Sequence, residues 1–249
     1  MKIDLSGKRA VVTGGSRGIG RAIALGLAEA GASVSVCARD ADGLAPVRDA
    51  IAAHGVTGHA QACDVADPRA LSAYIDAAAG ALGGIDILVC NASGFGTSND
   101  EAGWARSIDV DLLGTVRAIR AAMPHLEKSG AGAIVNISSI SGLRAAARTA
   151  PYGAVKAALI EYTMSEAAAL ARKGIRVNCV APGSIEFPGG SWEKRKSDAP
   201  NLYNAILRSI PFGRLGHPEE VANVVVFLAS PLANWVTGQT ISVDGGQLL

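Results

Sequence analysis

The sequence predicts an α/β fold: a single Rossmann-type doubly wound parallel sheet with helices on both faces. Three observations lead there. Short apolar runs alternate with longer helical patterns down the whole chain. A glycine-rich turn joins the first such run to the first helical pattern. Finally, 249 residues, 49% hydrophobic and 18% charged, are enough for one large core, so one domain over 1–249 is expected.

The first run, Arg9-Ala-Val-Val-Thr13, reads as a short buried strand. Further strands are expected at 34–38, 59–63, 86–90, 133–138, 175–180 and 240–243, where apolar and β-branched residues cluster. Helical patterns lie between them, at 18–30, 43–54, 68–82, 100–128, 152–172 and 218–229. Sites in such sheets lie beyond the carboxyl ends of the strands. Thr13, Asp64, Asn91, Ser139 and Pro182 all fall at such ends, so their side chains are expected around one crevice. Two stretches break the pattern. The segment from Ile185 to Tyr203 is charged and rich in Gly and Pro, and a substrate lid is expected over 185–210. The stretch Gly142-Leu-Arg-Ala-Ala-Ala-Arg-Thr149 brings Arg144 and Arg148 near the crevice, either to meet an anionic substrate or simply to be solvated.

The first strand runs into Gly14-Gly15-Ser16-Arg17-Gly18-Ile19-Gly20, and the helix follows at once. Glycines let backbone N–H groups approach a pyrophosphate, and the helix N-terminus adds partial positive charge. Dinucleotide binding is therefore expected at Gly14, Ser16, Arg17, Gly18, Ile19 and Gly20. The end of the second strand, Ala38-Arg39-Asp40, carries two signals. Asp40 has the spacing of a carboxylate that accepts hydrogen bonds from the ribose hydroxyls of NAD. Arg39 and Arg17 supply two guanidinium groups for a 2′-phosphate. NADP(H) is preferred on this reading, with NAD(H) as the alternative.

Tyr152 and Lys156 lie at an i,i+4 spacing, downstream of the hydroxyl pair Ser138-Ser139 that ends the run Ala133-Ile-Val-Asn-Ile137. At that spacing the two side chains share a helix face, and the ammonium favours tyrosinate over its unperturbed pKa of ~10. Tyr152 is then a usable acid and base, with a serine hydroxyl at the same substrate oxygen.

Composition excludes several classes. A net charge of +1 and 4% aromatic residues leave no basic field or stacking surface for nucleic acid. No apolar run approaches the ~20 residues of a membrane span, and Met1-Lys-Ile-Asp-Leu-Ser6 lacks a hydrophobic signal core, so a cytoplasmic protein is expected. Cys37, Cys63, Cys90 and Cys179 show no metal spacing and read as buried thiols; no metal is expected.

These motifs together resemble the short-chain dehydrogenase/reductase family over nearly the whole chain. Thr13 to Gly20 resembles its coenzyme turn, Cys63-Asp64-Val65 the stretch whose Asp meets the adenine, and Asn91-Ala92-Ser93 its NAG motif, with Ser93 in place of Gly. Pro182-Gly183 resembles the turn beside the nicotinamide, and Ile185 follows it; Val243-Asp-Gly-Gly246 resembles the terminal strand and its exit. The resemblance implies catalytic Ser139, Tyr152 and Lys156, with Ser139 preferred over Ser138 by its distance from the Tyr. It also implies a relay position at Asp111, where the family usually has Asn, and whose backbone carbonyl survives the change. Phe187 departs from a common Thr. The implied activity is NADP(H)-dependent hydride transfer to or from a small-molecule carbonyl or secondary alcohol, of ketone or 3-oxoacyl type. The alternative is a catalytically impaired NADP(H)-sensing protein. The helices at 100–128 and 152–172 carry apolar residues on more than one face, and relatives pair these helices, so a homotetramer is expected.

Overall fold

In Ala10-Val11-Val12 successive side chains leave opposite faces of the strand, so a run apolar at every position must be covered on both sides. The computed structural model of the protein describes residues 3–249. Among them, seven strands form one parallel sheet: β1 (Arg9–Thr13), β2 (Ser33–Ala38), β3 (Gly58–Ala62), β4 (Ile87–Cys90), β5 (Ala133–Ile137), β6 (Arg176–Pro182) and β7 (Thr240–Val243). Their spatial order is β3-β2-β1-β4-β5-β6-β7, with Val11 opposite Ser35 on one side and Leu88 on the other. The order reverses between β1 and β4, and a crevice opens there at the carboxyl ends.

Each face has its own helices. Ala10, Val12, Val34, Val36 and Val89 pack against α1 (Gly18–Glu29), α2 (Leu44–Ala52) and α9 (Pro218–Ala229). Val11, Leu88, Cys90 and Ile134 face α3 (Pro68–Leu82), α5 (Gly114–Ser129) and α6 (Ala150–Leu170). Local chemistry sets the helix ends. At α3, the Asp67 carboxylate accepts from the N–H groups of Arg69 and Ala70, Pro68 starts the helix, and Gly83 ends it at φ 80°.

Two expectations require correction. The single helix expected over 100–128 is three pieces: α4 (Glu101–Arg106), a π-helical stretch (Ser107–Leu113) and α5. The wide turn lets Ser107 and Asp111 both reach inward: the Ser107 hydroxyl donates to Gly96 O at 3.1 Å, and Asp111 is fully buried. The segment expected as an irregular lid instead carries two helices, α7 (Ser191–Asp198) and α8 (Pro200–Arg208). Pro200 suits the first turn of α8, and a small cluster of Tyr203, Ile210 and Leu215 with Trp192 and Ile206 holds the pair together.

Candidate active site

The turn after β1 needs glycine for steric reasons. Gly14 and Gly18 sit at φ 69° and 54°, where side chains are disfavoured. A Cβ on Gly20 would collide with the Gly14 carbonyl. Asn91 locks the turn to β4, its Nδ2 donating to Thr13 O at 3.1 Å and Gly14 O at 2.9 Å. The first N–H groups of α1 carry no side-chain cap, so the turn and helix end present free donors, the chemistry a pyrophosphate needs.

A cleft of about 990 Å³ runs from Arg39 and Asp40 across this turn to Ser139, Tyr152 and Lys156. Gly14, Ser16, Arg17, Ile19, Gly20, Asp64, Val65, Asn91, Ala92, Pro182, Gly183 and Ile185 also line it, as expected of one crevice. Its size, uncapped helix end and glycine cradle fit a nicotinamide dinucleotide. Three predicted residues do not line it. Thr13 is buried, its Oγ1 accepting from the Asn91 and Ala92 N–H groups. Gly18 lies beneath the Phe187 ring, where an added Cβ would meet Cζ at 2.6 Å. Asp111 lies behind Lys156.

At the far end of the cleft the Asp40 carboxylate accepts from the Asp42 N–H at 3.1 Å and makes no ion pair with Arg39 among the described residues. Both side chains are exposed. Arg17 reaches across the crevice, its Nη1 donating to Gly189 O at 3.2 Å.

At the reactive end the two serines separate. Both border the cleft, but the Ser138 Oγ donates to Lys156 O at 2.7 Å, which ties its hydroxyl to α6. Ser139 Oγ accepts from the Ser141 N–H at 3.1 Å and lines the cleft. Lys156 Nζ stands 5.5 Å from the centre of the Tyr152 ring and donates to Ile137 O at 3.0 Å. It also forms an ion pair with Asp111 Oδ1 at 2.9 Å. Burial pushes the Lys156 ammonium down, but the Asp111 carboxylate and then Tyr152 more than offset this, and its pKa is raised.

Asp111 is held on every side. Its carboxylate accepts from Ser93 Oγ at 2.6 Å and the Gly94 N–H at 2.8 Å, and its backbone carbonyl accepts from Thr115 Oγ1 at 2.8 Å. The relay position thus brings its side chain, as well as its backbone carbonyl, to the lysine's surroundings. Two of the three departures from the family pattern, Ser93 and Asp111, therefore touch.

The sequence reading did not single out Phe95, Trp192 or Arg195. Phe95 meets Tyr152 edge-on with ring centres 5.1 Å apart, and Arg195 stands over the rings of Phe95 and Trp192. An aromatic flanked by two glycines, Gly94-Phe-Gly96, directly after the Asn-Ala-Ser motif was the available signal. The four cysteines are free and buried, and burial pushes Cys90 up to about 12. No helix among the described residues is long and apolar enough to cross a membrane.

A family model described as enoyl-(acyl carrier protein) reductase matches residues 14–247. The chain is 38% identical over 254 residues to the 3-oxoacyl-(acyl-carrier-protein) reductase of Vibrio cholerae, covering 99% of this chain and 100% of the relative. The chain belongs to the short-chain dehydrogenase/reductase family. Its fold is similar to that of a 7α-hydroxysteroid dehydrogenase complexed with NADH and 7-oxo glycochenodeoxycholic acid: TM-score 0.92, 35% identity, 98% of this chain and 96% of that chain covered. It is also similar to the L-sorbose reductase of Gluconobacter frateurii complexed with NADPH and L-sorbose: TM-score 0.91, 33% identity, 100% and 99% covered. As a member of this family the protein is a pyridine-nucleotide-dependent oxidoreductase acting on CH–OH and C=O groups.

Proposed function

We propose that the protein is an NADP(H)-dependent reductase or dehydrogenase of a ketone or 3-oxoacyl substrate, with Tyr152 as its acid and base. The observation that carries this reading is a single cleft with Arg39 at one end and Ser139, Tyr152 and Lys156 at the other. When bound, the nicotinamide supplies or accepts the hydride. Tyr152 gives a proton to the forming alkoxide, or takes it from the alcohol, and Ser139 donates a hydrogen bond to the same oxygen. Lys156 places a buried positive charge beside the phenol and, with the cofactor bound, would hold the nicotinamide ribose. Asp111 acts through Lys156 and is a positioning residue.

Asp64 and Val65 serve the adenine, Asn91 and Ala92 border the cofactor's middle, and Pro182, Gly183 and Ile185 flank the nicotinamide. The segment 185–210, with α7 and α8, is the substrate lid. Its coupling to the cofactor turn is supported by the Phe187 ring on Gly18 and the Arg17 bond to Gly189.

Of two relatives of this fold, one is complexed with NADH and the other with NADPH, so this chain's own residues bear on the preference. Among the described residues Arg39 and Arg17 have no acidic partner within 4.0 Å, and Asp40 is turned into its own loop. Replacing both arginines by Ala should weaken NADPH binding by about 1.5–3 kcal/mol per charged hydrogen bond lost and change NADH little. Titration of both cofactors into wild type and variant checks this. Tighter binding of NADH than NADPH by the wild type would transfer the selecting role to Asp40.

A further inference from the structure

Beyond Tyr152 the cleft continues into a second cavity of about 650 Å³, sharing Phe95, Ser139, Tyr152 and Trp192 with the first. Its charged lining is Arg144, Arg148 and Arg195, with no Asp or Glu. No ion pair among the described residues takes up any of the three. The molecule as a whole carries only +1, so this excess is local to the cavity.

The arginines are arranged as well as concentrated. Arg195, on α7, stands 4.8 Å from the Trp192 ring centre and 6.0 Å from that of Phe95. Phe95 then meets Tyr152, so one aromatic ring separates the guanidinium from the reactive phenol. Phe95 holds φ 48°, a conformation that side chains rarely adopt, with its N–H donating to Ser93 Oγ at 3.2 Å. Arg144 spends one N–H on Gln247 O at 3.1 Å. Leu202 and Ile206 of α8 supply an apolar wall. A guanidinium stacked on aromatic faces keeps its fork of donors for a planar anion, and carboxylate matches that fork.

From this we infer that the substrate is a carboxylate-bearing ketone, or its alcohol. Its anionic end binds at Arg195 with Arg148 and Arg144 nearby, and an apolar or aromatic segment lies against Phe95 and Trp192. The inference rests on the proposed role of Tyr152 at the carbonyl. The site it describes is a specificity site and does not take part in hydride or proton transfer.

The test compares 4-oxo-4-phenylbutanoate and 5-oxo-5-phenylpentanoate with their methyl esters as substrates for NADPH-dependent reduction. The acids should exceed their esters in kcat/KM by about tenfold or more, the size of one charge-assisted hydrogen bond. In Arg195→Gln the acid-to-ester ratio should fall toward one, and Arg148→Gln should lower it in the same direction. Esters that match or exceed the acids, or a ratio unmoved by both variants, would overturn the inference. A second readout needs no turnover: calorimetric binding of 4-oxo-4-phenylbutanoate and of its amide to the protein saturated with NADP⁺. Acid-selective binding lost in Arg195→Gln supports the anion site even if no NADPH is consumed, a result that would count against the oxidoreductase reading alone. Equal binding of acid and amide, or none by the acid, overturns the anion site.

Discussion

Lys156 and Asp111 form an ion pair in which both side chains are almost entirely removed from water, 3% and 0% exposed. Each charge must therefore be balanced locally. The carboxylate is satisfied by Lys156, Ser93 Oγ and the Gly94 N–H, and its charge opposes part of the potential that Lys156 exerts on Tyr152. Asp111→Asn removes that offset while keeping the side chain's size. The protein should stay active, and the acidic limb of kcat/KM for alcohol oxidation should move to lower pH, measured with saturating cofactor and a non-titrating substrate. An unchanged profile would mean that the carboxylate has no electrostatic role. Stability has its own sign. A lysine with a raised pKa stabilises the fold fully below its ordinary value of 10.5, and that contribution is lost as pH rises through the raised one. Asp111→Asn should therefore make the wild type's advantage in thermal stability largest at neutral pH and smaller at strongly alkaline pH. The helix face shared by Tyr152 and Lys156 follows from their i,i+4 spacing, whereas Ser139 and the nearness of the Asp111 carboxylate to Lys156 came from the family resemblance. The 2.9 Å contact itself is formed on the π-helical turn, which no local pattern announces.

At the scale of elements, legibility follows how local the cause is. The strand Arg9–Thr13 and its glycine turn are set by adjacent residues, apolar β-formers and then small ones, and were read with the observed strand bounds. The π-helical stretch keeps a helical periodicity and is created by distant partners, Gly96 for Ser107 and Ser93 for Asp111, so no local pattern marks it. The lid helices were obscured by Gly189, Gly190 and Pro200, which lie at their boundaries and not inside them. Helix α9, by contrast, carries its start signal in Pro218-Glu-Glu220. The Glu220 carboxylate accepts from the His217 N–H at 2.8 Å and from two nitrogens of Arg214, and the Arg214 hydrogen bond, followed by that of His217, lowers its pKa to about 2. Its stabilisation is complete above the ordinary value of 4.5 and is lost as pH falls through about 2. The pair is exposed and screened by solvent, so Glu220→Gln should cost about 1 kcal/mol at neutral pH. Thermal melts should show a constant deficit from neutral pH down to mildly acidic conditions and a narrowing one below. A deficit that does not depend on pH would attribute the effect to packing.

Across the whole molecule, one cleft joins the proposed cofactor end to the proposed reactive end, and the sheet's reversal point puts both on one side. On α6 and the π-helical stretch, Met164 and Ile108 remain 44% and 37% exposed, apolar surface that pairing between subunits would cover. Light scattering should therefore give the mass of a tetramer at working concentration, and a stable monomer would contradict that assembly. The separation of the two ends bears most directly on function. Tyr152→Phe keeps the ring against Phe95 and removes only the oxygen, so the cofactor end is untouched. The decisive measurement is single-turnover reduction of a carbonyl substrate by this variant, with NADPH binding measured alongside. The account predicts NADPH affinity near that of the wild type and a hydride-transfer rate about 10²–10⁴-fold lower. A rate close to wild type would contradict it.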